Sequence, residues 1–198
     1  MSPIDIISEK INEIILITEC EDGSPHIAPF GVRERDGLIL IAPFRPSTSL
    51  DNLISGRHAT INTTDDVRVF SGALTGRTNW SVDKKEGALI LESALAYKAL
   101  KLEKIEDDIQ RPKLYLKVLT EEVLKPFQGY NRAQAAVVEL CVLVSRLNMI
   151  PLEKITSEME YLRIAIERTA GNKELEAWAW LVEAVDNYRA QLSGDNFA

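Results

Sequence analysis

Histidine and cysteine are scarce in this chain, with two of each among 198 residues. Cys20 and Cys141 lie far apart in different contexts, which speaks against a disulfide framework. Cys141 stands inside an apolar run and reads as a small core residue. His26 and His58 have no partner at ligand spacing and the cysteines form no pair, so zinc and similar sites are unsupported and no metal is expected. Basic residues are outnumbered, 23 against 30, leaving a net charge of -7. A broad nucleic-acid surface needs the opposite balance, so no nucleic-acid partner is expected, although one local basic pocket is compatible with it. Gly-x-Ser-x-Gly, Walker A and Gly-x-Gly-x-x-Gly motifs are all missing, which removes the common hydrolase and Rossmann readings. The longest apolar run, 135–144, is interrupted by Glu139 and is too short to span a bilayer. Glu9 and Lys10 stand where a signal peptide would need its apolar centre, so the expectation is a soluble, cytoplasmic protein with no membrane partner.

What is present is ordinary for a globular chain: 45% hydrophobic and 27% charged residues, enough for one domain or two small ones. The first third reads as a β-meander. Ile14–Thr18, His26–Val32 and Leu38–Ala42 are apolar runs separated by Glu21-Asp-Gly-Ser24 and by Asp36-Gly37, the latter a strong hairpin signal because type I′ turns need residues that tolerate positive φ. A short helix at 48–55 follows, with Leu50, Leu53 and Ile54 on one side, and then a strand at His58–Asn62. Asp65–Gly76 reads as a helix with Val67, Phe70, Ala73 and Leu74 apolar. Ala88–Ile105 and Lys113–Lys125 read as two longer strands joined by the acidic turn Glu106-Asp107-Asp108. Six strands with short helices between them predict a small closed or split barrel.

From Asn131 onward the pattern is helical. Asn131 caps a helix to about Leu147 that is apolar nearly all round and therefore buried. Leu152, Ile155, Met159, Leu162 and Ile166 mark the next helix. Gly171 stops it, Asn172 caps the last, and Leu175, Trp178, Val182, Val185 and Leu192 form its stripe, so the two make an antiparallel hairpin. Trp178 and Trp180 are two apart and cannot both face one core, which leaves either an interface tryptophan or an ordinary half-buried one. The tail from Ser193 is expected to fray. The division expected is a barrel domain over 1–126 and a helical subdomain over 127–198.

Chemistry concentrates in Ala-Pro-Phe-Arg-Pro-Ser-Thr-Ser-Leu-Asp-Asn-Leu at 42–53. An arginine and three hydroxyl residues precede a helix start, where backbone N–H groups and the helix dipole favour an anion. Arg45 adds a fork of donors matched to phosphate oxygens. Two readings stand: a phosphate site, or a capped surface helix after a strand. Pro46 removes one backbone donor from that loop. Asn62, Thr63 and Thr64 end the following strand, and a polar cluster with Arg45, Ser47, Thr48, Ser49 and Asn52 at one barrel end is expected. Asp65 and Asp66 point in different directions and read as capping residues rather than a catalytic dyad. Arg132, beside Asn131 at a helix start, sits at the unfavourable end of the dipole, which an anion nearby would explain. No residue stands out as general acid, base or nucleophile.

Ala-Pro-Phe-Gly-Val at 28–32, Ala-Pro-Phe-Arg-Pro-Ser-Thr at 42–48, Asp-Asn-Leu at 51–53, Ile-Asn-Thr-Thr-Asp-Asp-Val at 61–67 and Tyr-Asn-Arg-Ala at 130–133 occur in this order. Together they resemble an uncharacterised archaeal and methylotroph family with an FMN-binding split barrel and a helical C-terminal part. The wider barrel group includes flavin reductases and pyridoxamine-phosphate oxidases. The resemblance covers about residues 10–190 and implies a homodimer with FMN at the interface. It implies that Arg45, Ser47, Thr48 and Asn52 hold the FMN phosphate and that Asn62 and Thr63 lie near the ribityl chain or ring. Phe30 or Gly31 would let strand backbone approach the isoalloxazine, and Asn131 and Arg132 would reach the cofactor of either subunit. The function that the resemblance implies is a flavin-dependent oxidoreductase, with the family's company pointing to one-carbon or pterin metabolism. A non-catalytic flavin- or pterin-binding module, and a scaffold pairing through the last helix, stay open beside it. The cofactor itself carries the redox chemistry, so missing acid–base residues fit both flavin readings.

Overall fold

Asp36 and Gly37 adopt positive φ of 53° and 75°, closing the hairpin that their sequence predicts between two strands of a six-stranded barrel. The computed structural model describes residues 10–194. Expectations about Glu9 and about the tail beyond Gly194 fall outside them. The chain divides into two compact units, one holding residues up to Thr63 with Val82–Leu124, the other Thr64–Ser81 with the residues from Lys125 on. The helix expected inside a continuous 1–126 domain thus groups with the C-terminal helices.

In the first unit, β1 (Asn12–Glu19), β2 (Pro25–Arg35), β3 (Leu38–Ile41) and β4 (Ala59–Thr64) come in the order predicted, with α1 (Thr48–Ile54) between β3 and β4. The segment 88–105 is not one strand. It is β6 (Ala88–Leu91), a turn, and β7 (Ala94–Glu106), and β6 pairs with β5 (Val82–Lys85) in a separate hairpin. The three charged residues of Val82-Asp-Lys-Lys85 hid β5, because only tertiary placement makes such a segment a strand. With β8 (Lys113–Val123) the barrel closes in the order β1-β2-β3-β8-β7-β4. Its core holds Ile14, Leu16, Val32, Ile39, Ile41, Ala59, Ile61, Leu100, Leu114 and Leu116, and Leu50 and Leu53 of α1 join the same cluster. Helix α1 therefore plugs one end of the barrel.

The outer face of β4 carries Thr60 and Asn62, which bond to β6. Thr60 Oγ1 accepts from Leu89 N (2.9 Å), Asn62 Oδ1 accepts from Leu91 N (2.9 Å), and Asn62 Nδ2 donates to Leu89 O (3.0 Å). Strand β8 pairs with β3 only over Leu114–Leu116 but with β7 along its whole length. Two register breaks leave Glu103 and Leu119 without a partner, as bulges do. Beyond Leu119, Glu121 lies opposite Lys98 and Val123 opposite Ala96. The extra residue therefore turns Glu121 and Val123 toward the side on which Val118 faces the core.

The second unit contains α2 (Arg68–Leu74), α3 (Arg132–Val144), α4 (Leu152–Thr169) and α5 (Asn172–Gly194). Asn131 caps α3 as expected, accepting from Ala133 N (2.8 Å) and Gln134 N (3.3 Å). Helix α3 is buried along Ala133, Ala136, Val137, Leu140 and Cys141, and burial pushes the Cys141 thiol up to about 12. Asn172 is not the cap of α5. Gly171 precedes the first turn, and its N–H donates to Glu174 Oε2 (2.9 Å). The buried stripe of α5 is Glu174, Ala177, Leu181 and Val185, while Leu175 and Leu192 are exposed. Trp178 and Trp180 are both half-buried, so neither is a core residue. The guanidinium of Arg77 lies 4.9 Å from the centroid of the Trp180 ring. Asp66 is buried and does more than cap: its carboxylate takes Arg68 Nε (2.9 Å) and Nη2 (2.7 Å) and Lys173 Nζ (3.1 Å).

Candidate functional site

Two loops lace together at the plugged end of the barrel. Residues 42–47 leave β3, and residues 107–112 enter β8, so the pairing of those two strands brings both loops side by side. Arg45 N donates to Gln110 O (2.8 Å), and its guanidinium reaches Asp107 Oδ1 (2.8 Å) and Asp108 O (3.3 Å). Arg111 Nε donates to Ala42 O (2.9 Å), and its guanidinium carbon lies 4.6 Å from the Phe44 ring centroid. Asp108 folds the turn by accepting from Arg111 N (2.7 Å) and Gln110 N (2.9 Å), and these bonds hold its carboxyl below the usual range. Ser47 Oγ accepts from Leu50 N (3.3 Å), and Thr48 is exposed.

Asn52 turns away from this surface. It is buried, donates to Thr18 Oγ1 (3.0 Å) and Cys20 Sγ (3.7 Å), and accepts from Arg57 Nη1 (3.3 Å). It ties α1 to β1 rather than facing the loop.

A second feature lies across β4, β7 and β8. It is a cleft of about 320 Å³ lined by Ile61 and Thr63, by Ala96, Tyr97 and Lys98, and by Glu121, Glu122 and Val123. Lys98 Nζ and Glu121 Oε2 pair at 3.0 Å, and Thr63 Oγ1 donates to Ala96 O (3.2 Å). The Tyr97 hydroxyl donates to Glu122 Oε2 (2.9 Å), which Lys85 Nζ also reaches (2.8 Å). The hydrogen bonds from Lys85 and Tyr97 hold Glu122 ionised below the usual range, and the bond to Glu122 keeps the Tyr97 proton in place. The cleft is thus an apolar hollow with a charged, already paired rim.

Of the ten residues singled out in the sequence, the eight in the barrel unit have different surroundings. Arg45, Ser47 and Thr48 share the laced loops. Thr63 lines the cleft, but Asn62, its neighbour, points to the opposite face of the strand and is consumed by β6. Thr63 is bonded to Ala96 at the start of β7 and Arg45 to Asp107 just past its end. Around the other side of the barrel only β1 and β2 lie between β4 and β3, with Asn62 opposite Ile15 and Ile15 opposite Pro29. Phe30 packs against the barrel core, and the space beside Gly31 is filled by Ile11 and Glu13 side chains. In the helical unit, Asn131 is engaged in capping α3 and in donating to Thr169 O (3.0 Å), while Arg132 is exposed. Residues the sequence did not single out are Lys98 and Glu121, positioned by a bulge, and Arg111, for which the Arg-Pro step after the acidic turn was the only signal. Among the described residues no group of His, Cys, Asp and Glu could hold a metal, and no helix is long and apolar enough to cross a membrane.

The FMN-bound protein MM1853 of Methanosarcina mazei, itself a DUF447 protein, has this fold, with a TM-score of 0.74 at 22% identity over 90% of this chain and 96% of that one. Flavin reductase HpaC, solved with NADP+, gives 0.51 at 15% identity over 60% and 83% of the two chains. The 2-nitrobenzoate 2-nitroreductase NbaA of Pseudomonas fluorescens gives 0.50 at 16% identity over 60% and 67%. No curated protein sequence matches the chain. Its own sequence matches the N-terminal domain described as "protein of unknown function (DUF447)" over residues 12–125 and the C-terminal DUF447 model over residues 131–183. Since these two matches take in both the barrel and the helices, the chain belongs to the DUF447 family.

Proposed function

We propose that this protein is an FMN-binding flavoprotein that acts as a homodimer, with the phosphate at the loop of Arg45, Ser47 and Thr48. The observation that carries the reading is that loop: a guanidinium and two hydroxyls gathered on the barrel of a family in which another member holds FMN. The fit is chemical. The Arg45 fork keeps donors beyond its bond to the exposed Asp107, the Ser47 hydroxyl proton is uncommitted by its capping role, and Thr48 adds another hydroxyl. The apolar floor of the β4–β7–β8 cleft suits a flat ring, and the Lys98–Glu121 pair and Thr63 supply polar contacts at its edge. In the homodimer reading the flavin lies between two copies of the chain.

Bound flavin supplies hydride and electron chemistry, and the protein supplies binding and orientation. Arg45 and the hydroxyls fix the phosphate, and the cleft fixes the plane of the ring and sheds water from its apolar side. The visible spectrum of the purified protein tests the cofactor: the bands of oxidised flavin are expected. A colourless protein that also fails to bind added FMN refutes the proposal. Arg45→Ala should weaken FMN binding by about 1.5–3 kcal/mol, roughly tenfold to a hundredfold in Kd. Unchanged affinity would remove the phosphate from this loop. Reduction of the bound flavin by NADH or NADPH marks an oxidoreductase, and bound flavin without turnover marks the non-catalytic module.

A further inference from the structure

Arg111 is held in an unusual way for an exposed arginine. Its Nε donates to Ala42 O (2.9 Å), its guanidinium lies over Phe44 at 4.6 Å, and its own backbone N–H is fixed by Asp108 Oδ1 (2.7 Å). Anchoring at Nε and stacking of the plane leave the two Nη groups as the free edge of the fork, and among the described residues they meet no acceptor. The acceptor of Nε belongs to the same loop as Arg45, and Arg45 N bonds back to Gln110, the residue before Arg111. Two guanidinium groups therefore flank one loop on a chain whose net charge is -7. Arg45 is partly neutralised by Asp107, whereas the nearby carboxylate of Asp108 is spent on two backbone N–H groups. Arg111 is thus the guanidinium of this pair that carries no carboxylate partner of its own.

We infer that Arg111 is a second phosphate-binding residue of this loop and the one that makes the protein select a phosphorylated flavin over its dephosphorylated form. The inference rests on the proposed FMN site. A stacked, pre-anchored guanidinium loses little side-chain freedom on meeting an anion, and its planar fork matches two phosphate oxygens. A lysine at this place would offer a point charge without the Nε anchor or the stack.

The experiment is a pair of titrations, with FMN and with riboflavin, of the full chain and of its Arg111→Ala and Arg111→Lys variants, followed by flavin fluorescence. For Arg111→Ala the Kd for FMN should rise about tenfold or more while that for riboflavin stays within about twofold, with Arg111→Lys in between. Equal weakening of both flavins would show a structural role and overturn the inference, as would unchanged FMN affinity. The riboflavin arm also guards against misfolding, because a variant that keeps riboflavin affinity has kept its site. If the unaltered chain binds neither flavin, the FMN reading itself fails and this inference falls with it; if it binds FMN and only the Arg111 contrast is missing, the FMN reading stands alone.

Discussion

Asn62 and Thr63 are neighbours of similar size and polarity with opposite fates. Asn62 has no solvent exposure and satisfies Leu89 O and Leu91 N, so Asn62→Ala leaves two buried backbone groups unpaired. That loss should cost about 2–4 kcal/mol, read as a lower urea midpoint at unchanged m-value. Thr63 is exposed and makes one hydrogen bond, to Ala96 O, so Thr63→Ala should cost less than about 1 kcal/mol of stability. If the cleft holds the flavin ring, the same substitution lowers flavin affinity. An Asn62 variant as stable as the unaltered chain would contradict the bridging role. In the sequence both residues read as candidate cofactor contacts, since strand alternation shows that they diverge but not which of them a second sheet will cover.

At the scale of elements, Asp66 joins the start of α2 to α5 through Arg68 and Lys173. Arg68 also reaches Glu176 Oε2 (3.0 Å), a second tie to α5. Burial alone would raise the Asp66 carboxyl, but the hydrogen bonds from Arg68 and Lys173 outweigh it and hold the group below 3.8. A folded pKa below the unfolded one means that this contribution is fully present above about pH 4 and is lost as pH falls through the folded value. Asp66→Asn should therefore lower stability at pH 7 by about 2 kcal/mol, discounted because Arg68 and Lys173 still reach water. It should also flatten the loss of stability below about pH 4, as measured by urea unfolding across the acid range. An Asp66→Asn variant with the same acid profile as the unaltered chain would refute the assignment. The sequence identified Asp66 as a capping residue, and only the packing of α5 turned it into a buried ionic centre. The bulge at Leu119 acts on the same scale: one unpaired residue decides that Glu121 and Val123, not Thr120 and Glu122, continue the inner face of β8.

For the whole molecule, the proposed homodimer sets the flavin between two protomers. Light scattering of the flavin-loaded protein should give twice the 22.2 kDa of one chain. A monomer with full flavin occupancy would refute the homodimer. Of the candidate site, the grouping of Arg45, Ser47 and Thr48 was legible because they share one loop. Lys98 and Glu121 were not, because a cross-strand pair 23 positions apart in the chain depends on a register that a bulge has shifted.

The sequence by itself determined the meander, the hairpin at Asp36-Gly37, the cap at Asn131 and the helical C-terminal part. Each of these follows from local preferences: turn residues that accept positive φ, side chains that cap, and apolar residues at period two or at helical spacing. Only the tertiary structure decided that β5 is a strand, that α2 groups with the C-terminal helices, that α5 buries Ala177, Leu181 and Val185, and that Arg111 comes to lie against Phe44. Those outcomes depend on which surfaces meet after the barrel closes, and a surface shared by residues far apart in the chain leaves no local pattern in either segment.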